Sequence, residues 1–352
     1  MLLRVTLSLY ARRPTEAWRP SGLPAPLCSS HGHDLSLLPG ARVSGTLALA
    51  VDLGGTKVEA ALVDDTGSVV VGSRFRQPTG PTLTADELAQ SVRSAVTSCL
   101  ATVPARSPLA GVGIGTAGPL DESNGRVSPL NLPAWRGYPL KALVEECVPG
   151  VPVTMRMDGL CIALAEHWVG AARGYDNLMG MIVSTGIGGG LILHGSTVSG
   201  PTGNAGHIGH VEVAGFSDPC KCGGIGCVEA IASGPNSVAW ARVQGWTGLT
   251  GEDLAASYRG GDKIAIAAVE RAGRAIGQAI ASATALVDLE IVAIGGGFSL
   301  VTPDLFTHIR TAIATRATFD FVTKVKVVPS GLSSDGPLIG AAALVHNAER
   351  VA

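Results

Sequence analysis

Thr46–Lys57, TLALAVDLGGTK, carries an apolar run into a glycine turn, and the chain becomes apolar again over Glu59–Val63. The arrangement returns at Leu178–His194, LMGMIVSTGIGGGLILH, where an apolar strand over Leu178–Ser184 meets the glycine turn TGIGGG and a second apolar stretch follows from Leu191. Two such openings in one chain predict duplicated domains that face each other. Around the first, Thr46–Asp52 and Glu59–Val63 read as strands and Ser68–Arg76 as a third, with Asp64-Asp65-Thr66-Gly67 turning the hairpin between the last two. A helix over Ala85–Ala101 and a strand over Ala110–Ile114 come next, and a strand over Val151–Met155 leads into a helix over Asp158–Val169. Beyond the second opening, Lys263–Val287 is a long Ala-rich helix pattern. It feeds a strand over Glu290–Ile294 and the triplet Gly295-Gly296-Gly297. A helix over Pro303–Thr318, a strand over Lys324–Val328 and a helix over Gly336–Asn347 complete the pattern. Strands followed by alternating helices and strands predict an α/β fold with mixed sheets covered by helices.

Composition narrows the function. With 46% hydrophobic and 15% charged residues, the 352-residue chain can bury a large core, which excludes a disordered or fibrous protein. Its length accommodates two or three domains. A net charge of −2 offers no general attraction to nucleic acid or an anionic membrane. No apolar run reaches the roughly 18–20 residues that cross a bilayer. Met1–Tyr10 is apolar, but Arg4 interrupts it and Arg12 and Arg13 follow it, so it does not read as a signal peptide. Residues 1–45, with Pro14, Pro20, Pro24, Pro26 and Pro39, read as an extension outside the fold. Of the seven cysteines three fall within Cys220–Cys227, which predicts a metal site in a reducing, cytoplasmic setting rather than a disulfide framework. Cys28, Cys99, Cys147 and Cys161 read as small hydrophobes.

The glycine turns suggest phosphate chemistry. Gly54 and Gly55 let backbone N–H groups approach phosphate oxygens, Thr56 adds a hydroxyl, Lys57 a positive charge, and Asp52 can hold Mg²⁺ through water. The stretch fits neither GxxxxGK[ST] nor GxGxxG, and a plain hairpin turn explains it equally well on its own. Thr185, Gly186 and Gly188 in the second turn, and Gly295 and Gly296 in the third, make a bound polyphosphate the better reading. In CKCGGIGC, Cys220, Cys222 and Cys227 supply three thiolates, and His210 a fourth ligand, for a closed tetrahedral zinc that pins a loop. Asp158 reads either as the N-cap of its helix or as a general base at a sheet's carboxyl edge. Glu229 stands two residues past the last cysteine, where the metal loop would fix it.

Taken together, DLGGTK at 52–57, GIGTAGPLD at 113–121, NLPAW at 131–135, Asp158, STGIGGG at 184–190, GHIGH at 206–210, CKCGGIGCVE at 220–229 and AIGGG at 293–297 resemble the ROK family of bacterial sugar kinases and related repressors. The resemblance spans about residues 46–350 and implies an actin-like (ribonuclease-H-like) two-domain fold with a cleft. One domain would comprise 46–157 plus 337–352, closed by the last helix, and the larger one 158–336 with the zinc loop. It implies ATP and Mg²⁺ as cofactors beside structural Zn²⁺, a hexose or N-acetylhexosamine as acceptor, and a homodimer. Asp158 would be the base, and His210 and Glu229 would contact sugar hydroxyls. Two positions depart from the family: Met157 stands where an Asn precedes the base, and His207 where a Glu contacts sugar. Leu160 also replaces a second, usual Asn. The expected activity is therefore an ATP:hexose phosphotransferase of glucokinase type acting at the 6-hydroxyl. A sugar-responsive regulator is the alternative, although residues 1–45 show no two-helix pattern; a non-catalytic sugar sensor is favoured by Met157 and His207 and opposed by Asp52, Lys57 and Asp158.

Overall fold

The computed structural model describes residues 45–105, 107–332 and 334–351; the extension expected over 1–45 lies, but for Gly45, outside them. In chain order the elements are β1 (Leu47–Leu53), β2 (Lys57–Asp64), β3 (Phe75–Pro78), α1 (Ala85–Leu100), β4 (Leu109–Thr116), β5 (Leu120–Asp121), β6 (Arg126–Val127), α2 (Leu140–Cys147), β7 (Val153–Met157) and α3 (Asp158–Trp168). Next come β8 (Leu178–Val183), β9 (Ile187–Leu193), β10 (Ser196–Thr197), α4 (Val228–Ala232), α5 (Gly234–Val243), α6 (Gly251–Arg259) and α7 (Lys263–Val287). The last are β11 (Ile291–Gly295), α8 (Asp304–Arg316), α9 (Asp320–Thr323), β12 (Lys326–Pro329) and α10 (Gly336–His346). Among the described residues no helix is long and apolar enough to cross a membrane.

Two five-stranded mixed sheets carry the fold, in orders β3-β2-β1-β4-β7 and β10-β9-β8-β11-β12. In each, an antiparallel hairpin (β1 with β2, β8 with β9) precedes parallel strands, the duplication legible in the two openings. Local chemistry sets the helix limits. Thr84 and Glu87 close a capping box at the start of α1, and its buried Leu88, Val92, Val96 and Cys99 recur on one face. Asp262 accepts the N–H groups of Ile264 and Ala265 to start α7, which ends where Asp288 turns left-handed at φ 54°.

Two expectations are corrected. The third strand begins at Phe75 rather than Ser68, because Gly72 turns left-handed (φ 81°) and the Ser73 hydroxyl, not a backbone carbonyl, accepts the Leu62 N–H at 3.0 Å. The stretch 185–190 is not one turn: β9 starts at Ile187, so Gly188, Gly189 and Gly190 are strand residues. Close packing explains them. α3 lies against this hairpin so tightly that a Cβ on Gly190 would strike the Leu160 backbone, and one on Gly180 would come within 2.6 Å of Ala163 Cα. On its other side α3 meets α10, where Gly340 faces the Cys161 carbonyl. Gly340→Ala must push these helices apart and should cost about 1–3 kcal/mol in thermal unfolding. Gly251→Ala, at a helical position with open space, is the control and should be neutral or slightly stabilising.

Candidate active site

The parallel strands of both sheets deliver the chemistry at their carboxyl ends, where ligands of open α/β sheets bind. β1 ends with Asp52 and Leu53, β4 leads into Thr116–Gly118, and β7 ends at Met157 immediately before Asp158. From the second sheet, β8 runs into the turn Ser184–Gly186, and the parallel β11 ends at Gly295. These last two turns are neighbours. Ser184 N–H donates to the Gly186 carbonyl at 2.9 Å, Gly296 (φ 95°) backs onto Val183, and Gly297 lies 3.7 Å from Ser184 Oγ at its Cβ position.

Asp158 joins the two sets. It is the first residue of α3 rather than its N-cap, a place Met157 takes in an extended conformation, and its carboxylate accepts the Gly159 N–H at 2.7 Å. The Cβ position of Gly188 lies 3.8 Å from Asp158 Oδ1, so a bare strand of the second sheet faces a carboxylate fed by the first. Burial raises the Asp158 pKa to about 6; the Gly159 N–H opposes this and the Glu229 carboxylate adds to it. Asp52 is pushed higher, to about 7, by burial and then by Asp158, against the pull of Lys57. A group with a pKa near the working pH can both take and release a proton.

The DLGGTK stretch closes as a hairpin, Gly54 N–H donating to the Lys57 carbonyl at 2.9 Å, and Thr79 Oγ1 donates to the Gly54 carbonyl at 2.8 Å. Gly55 lies against Asn131, where a side chain would meet Asn131 Cβ at 2.8 Å. Thr56 is exposed at the tip. The Lys57 ammonium pairs with Glu59, a residue the sequence reading left out. Glu59 is 2% exposed and opposite Asp52 in the β1–β2 register. It also accepts Arg76 Nη2 at 2.8 Å and has Arg74 Nε at 3.6 Å. Burial alone would raise its pKa, but Lys57 and Arg76 hold it below the ordinary carboxylate range. A lone acid in the apolar KVEAALV, with Arg74 and Arg76 downstream, was its available signal.

Met157 and His207 converge. A Cβ on Gly118 would sit 2.9 Å from Met157 Sδ and 3.0 Å from His207 Nε2, so the thioether and the imidazole share one wall beside the base. Burial, then His210, lowers the His207 pKa, favouring neutral imidazole. Leu160 is 1% exposed beneath Gly190, in the core rather than on this wall. Glu166 is fully buried and accepts the N–H groups of Ala171 (2.7 Å) and Gly331 (3.2 Å).

His210, Cys220, Cys222 and Cys227 bring their donor atoms within 4.8 Å of one another. The separations fit a metal: His210 Nδ1 to Cys220 Sγ is 3.6 Å and Cys222 Sγ to Cys227 Sγ is 3.7 Å, close to the edge of a tetrahedron with zinc bonds of about 2.0–2.3 Å. The Gly224 N–H lowers the Cys222 pKa, whereas burial raises those of Cys220 and Cys227, so a bound cation would have to draw those two thiols to the thiolate form. α4 starts directly after Cys227 and holds Glu229, which accepts the Ile187 N–H at 2.8 Å. Arg271 ties the loop to α4, bonding Asp218 at 2.5 Å and the Ile231 carbonyl at 3.0 Å.

The ROK family pattern matches residues 48–348. The chain belongs to the ROK family. It is 30% identical to a glucokinase of Thermotoga maritima over 313 residues, 84% of this chain and 96% of that protein. It is 31% identical to an N-acetylmannosamine kinase of Escherichia coli over 296 residues, 84% of this chain and 97% of the relative. Its fold matches a ROK family glucokinase from Streptomyces griseus, solved in complex with glucose and AMPPNP, with TM-score 0.74 and 29% identity over 86% of this chain and 99% of that one. This ROK chain thus has the actin-like α/β architecture with mixed sheets that its sequence predicts.

Proposed function

We propose that this protein is an ATP-dependent sugar kinase that phosphorylates a hexose, glucose first among them, at its 6-hydroxyl. The observation that carries the reading is Asp158: a carboxylate of raised pKa at the meeting point of two sheets, faced by strand glycines that leave it open. In the reaction Asp158 accepts the proton of the acceptor hydroxyl as its oxygen bonds to the γ-phosphorus, the bond from that phosphorus to the β–γ bridging oxygen breaks, and ADP departs. Backbone N–H groups of Thr185, Gly186, Gly295 and Gly296 would lie along the phosphates, with Gly54, Gly55 and Thr56 on the opposite rim. Asp52 is the candidate to hold Mg²⁺, which when bound neutralises charge developing on the phosphates. Lys57 must leave Glu59 or share it to reach a phosphate. His210 and Glu229 would contact the sugar, oriented by a structural Zn²⁺ on His210, Cys220, Cys222 and Cys227. Residues 46–157 with 337–352 would form one lobe and 158–336 the other, excluding water between them.

Glucokinase and N-acetylmannosamine kinase relatives support the class equally and divide over the sugar. A coupled ADP-release screen across glucose, mannose, N-acetylglucosamine, N-acetylmannosamine and allose, with ATP or polyphosphate as donor, tests the proposal; no turnover with any pair would overturn it. Met157→Asn tests the acceptor. With a donor and an acceptor restored beside the base, the Michaelis constant for glucose should fall about 5- to 10-fold, one hydrogen bond's worth. A flat or raised constant would mean that a different ring or substituent fits the Met157–His207 wall.

A further inference from the structure

Two of the segments that meet at the Met157–His207 wall, one leaving β4 and one following β10, are fastened to each other by one side chain. Gly118 belongs to the segment leaving β4, which the Ala117 N–H ties to the Leu53 carbonyl at 3.3 Å. His207 belongs to the segment following β10. Between them, Asn204 accepts the Leu120 N–H on Oδ1 at 2.9 Å and donates from Nδ2 to the Leu120 carbonyl at 2.7 Å. Both backbone groups of one residue are thus satisfied by a single amide, as a neighbouring strand would satisfy them. Asp could only accept, and Ser or Thr is too short to span both groups. Leu120 is 5% exposed, so this pairing is sheltered from water. The Asn204 Nδ2 also reaches the Thr202 carbonyl at 3.1 Å, which fixes the amide's orientation. His207 stands three residues after Asn204 and Gly118 two before Leu120, so any slip of the pairing changes the gap where imidazole, thioether and Gly118 meet.

We infer that Asn204 is a positioning residue for acceptor recognition, its amide setting the gap between Gly118 and His207 at the Met157–His207 wall by clasping Leu120 of β5 to the segment that follows β10. The inference rests on the sugar-kinase reading. The test uses the full chain and its Asn204→Asp and Asn204→Ala variants, with glucose and N-acetylmannosamine as acceptors and ATP with Mg²⁺ as donor. The Michaelis constant for the sugar should rise about 5- to 100-fold in both variants, while that for ATP and kcat stay within about threefold. An unchanged sugar constant, or sugar and ATP constants rising in parallel with a lowered Tm, would overturn the assignment. If the unaltered chain turns over neither sugar, the kinase reading fails for these acceptors and hydrogen exchange decides on the clasp. Asn204→Ala, which removes the acceptor of the Leu120 N–H, must then speed exchange in peptides covering residues 116–121 without altering those covering 291–295; equal exchange in the first set overturns it.

Discussion

Asp158→Asn should lower kcat by about 10²–10⁴-fold while leaving the dissociation constants for sugar and nucleotide nearly unchanged. The amide keeps the size of the carboxylate and can still accept the Gly159 N–H, so the first turn of α3 survives. What it loses is the ability to take a proton. The pH dependence gives a second readout. With a pKa raised to about 6, Asp158 is deprotonated and competent above that value, so kcat/KM should fall about tenfold per pH unit below pH 6 and level off above it. The stability consequence has the opposite sense. Because the folded chain holds this proton more tightly than the unfolded chain, the charged carboxylate costs stability as pH rises from about 4 to above 6. Asp158→Asn should therefore be at least as stable as the parent chain at pH 7.5, so that a loss of turnover with retained Tm isolates the chemistry. Retained turnover would remove Asp158 as the base.

Loss of the metal should disable sugar binding rather than phosphate binding. One zinc per chain is expected by metal analysis, falling toward zero in Cys222→Ala. His210 would lose its ligand role, and α4 its anchor at Cys227, so both sugar-facing candidates are released together. Two hydrogen bonds at about 0.5–1.5 kcal/mol each correspond to a 5- to 150-fold weaker sugar affinity. The nucleotide constant should move less than the sugar's, since the turn after β8 loses its Glu229 contact but keeps the Ser184–Gly186 bond, and Gly296 after β11 stays packed on Val183. Calorimetric titration of sugar into zinc-free protein checks this; unaltered binding would sink the zinc assignment.

What sequence could show divides along a physical line. α7 was legible to the residue because its apolar face, its Asp262 cap and its left-handed end at Asp288 are all local signals. The strand–helix junction at Asp158 and the thiol spacing at 220–227 were legible for the same reason. Glycine was not, because a glycine that turns the chain and one that admits a neighbouring helix look alike: Gly186 does the first, and Gly190, pressed on Leu160, the second. Long-range pairings were also hidden. Nothing near Asn204 announces Leu120, and it is the β2–β3 register that sets Arg76 opposite Glu59. The meeting of Met157 and His207 over Gly118 depends on two sheets being assembled.

The position of α10 has a bearing on biosynthesis. One face of the first sheet, Ala48, Ala50, Ala61 and Val63, is sealed by Leu338, Ala341 and Ala342 of this helix. A nascent chain can pair β1 with β2 and β4 early, but that face stays wet until α10 has left the ribosome, with the whole second sheet translated in between. The first sheet therefore cannot be fully covered ahead of the second, and a ribosome stalled before Gly336 would present an apolar sheet surface to chaperones.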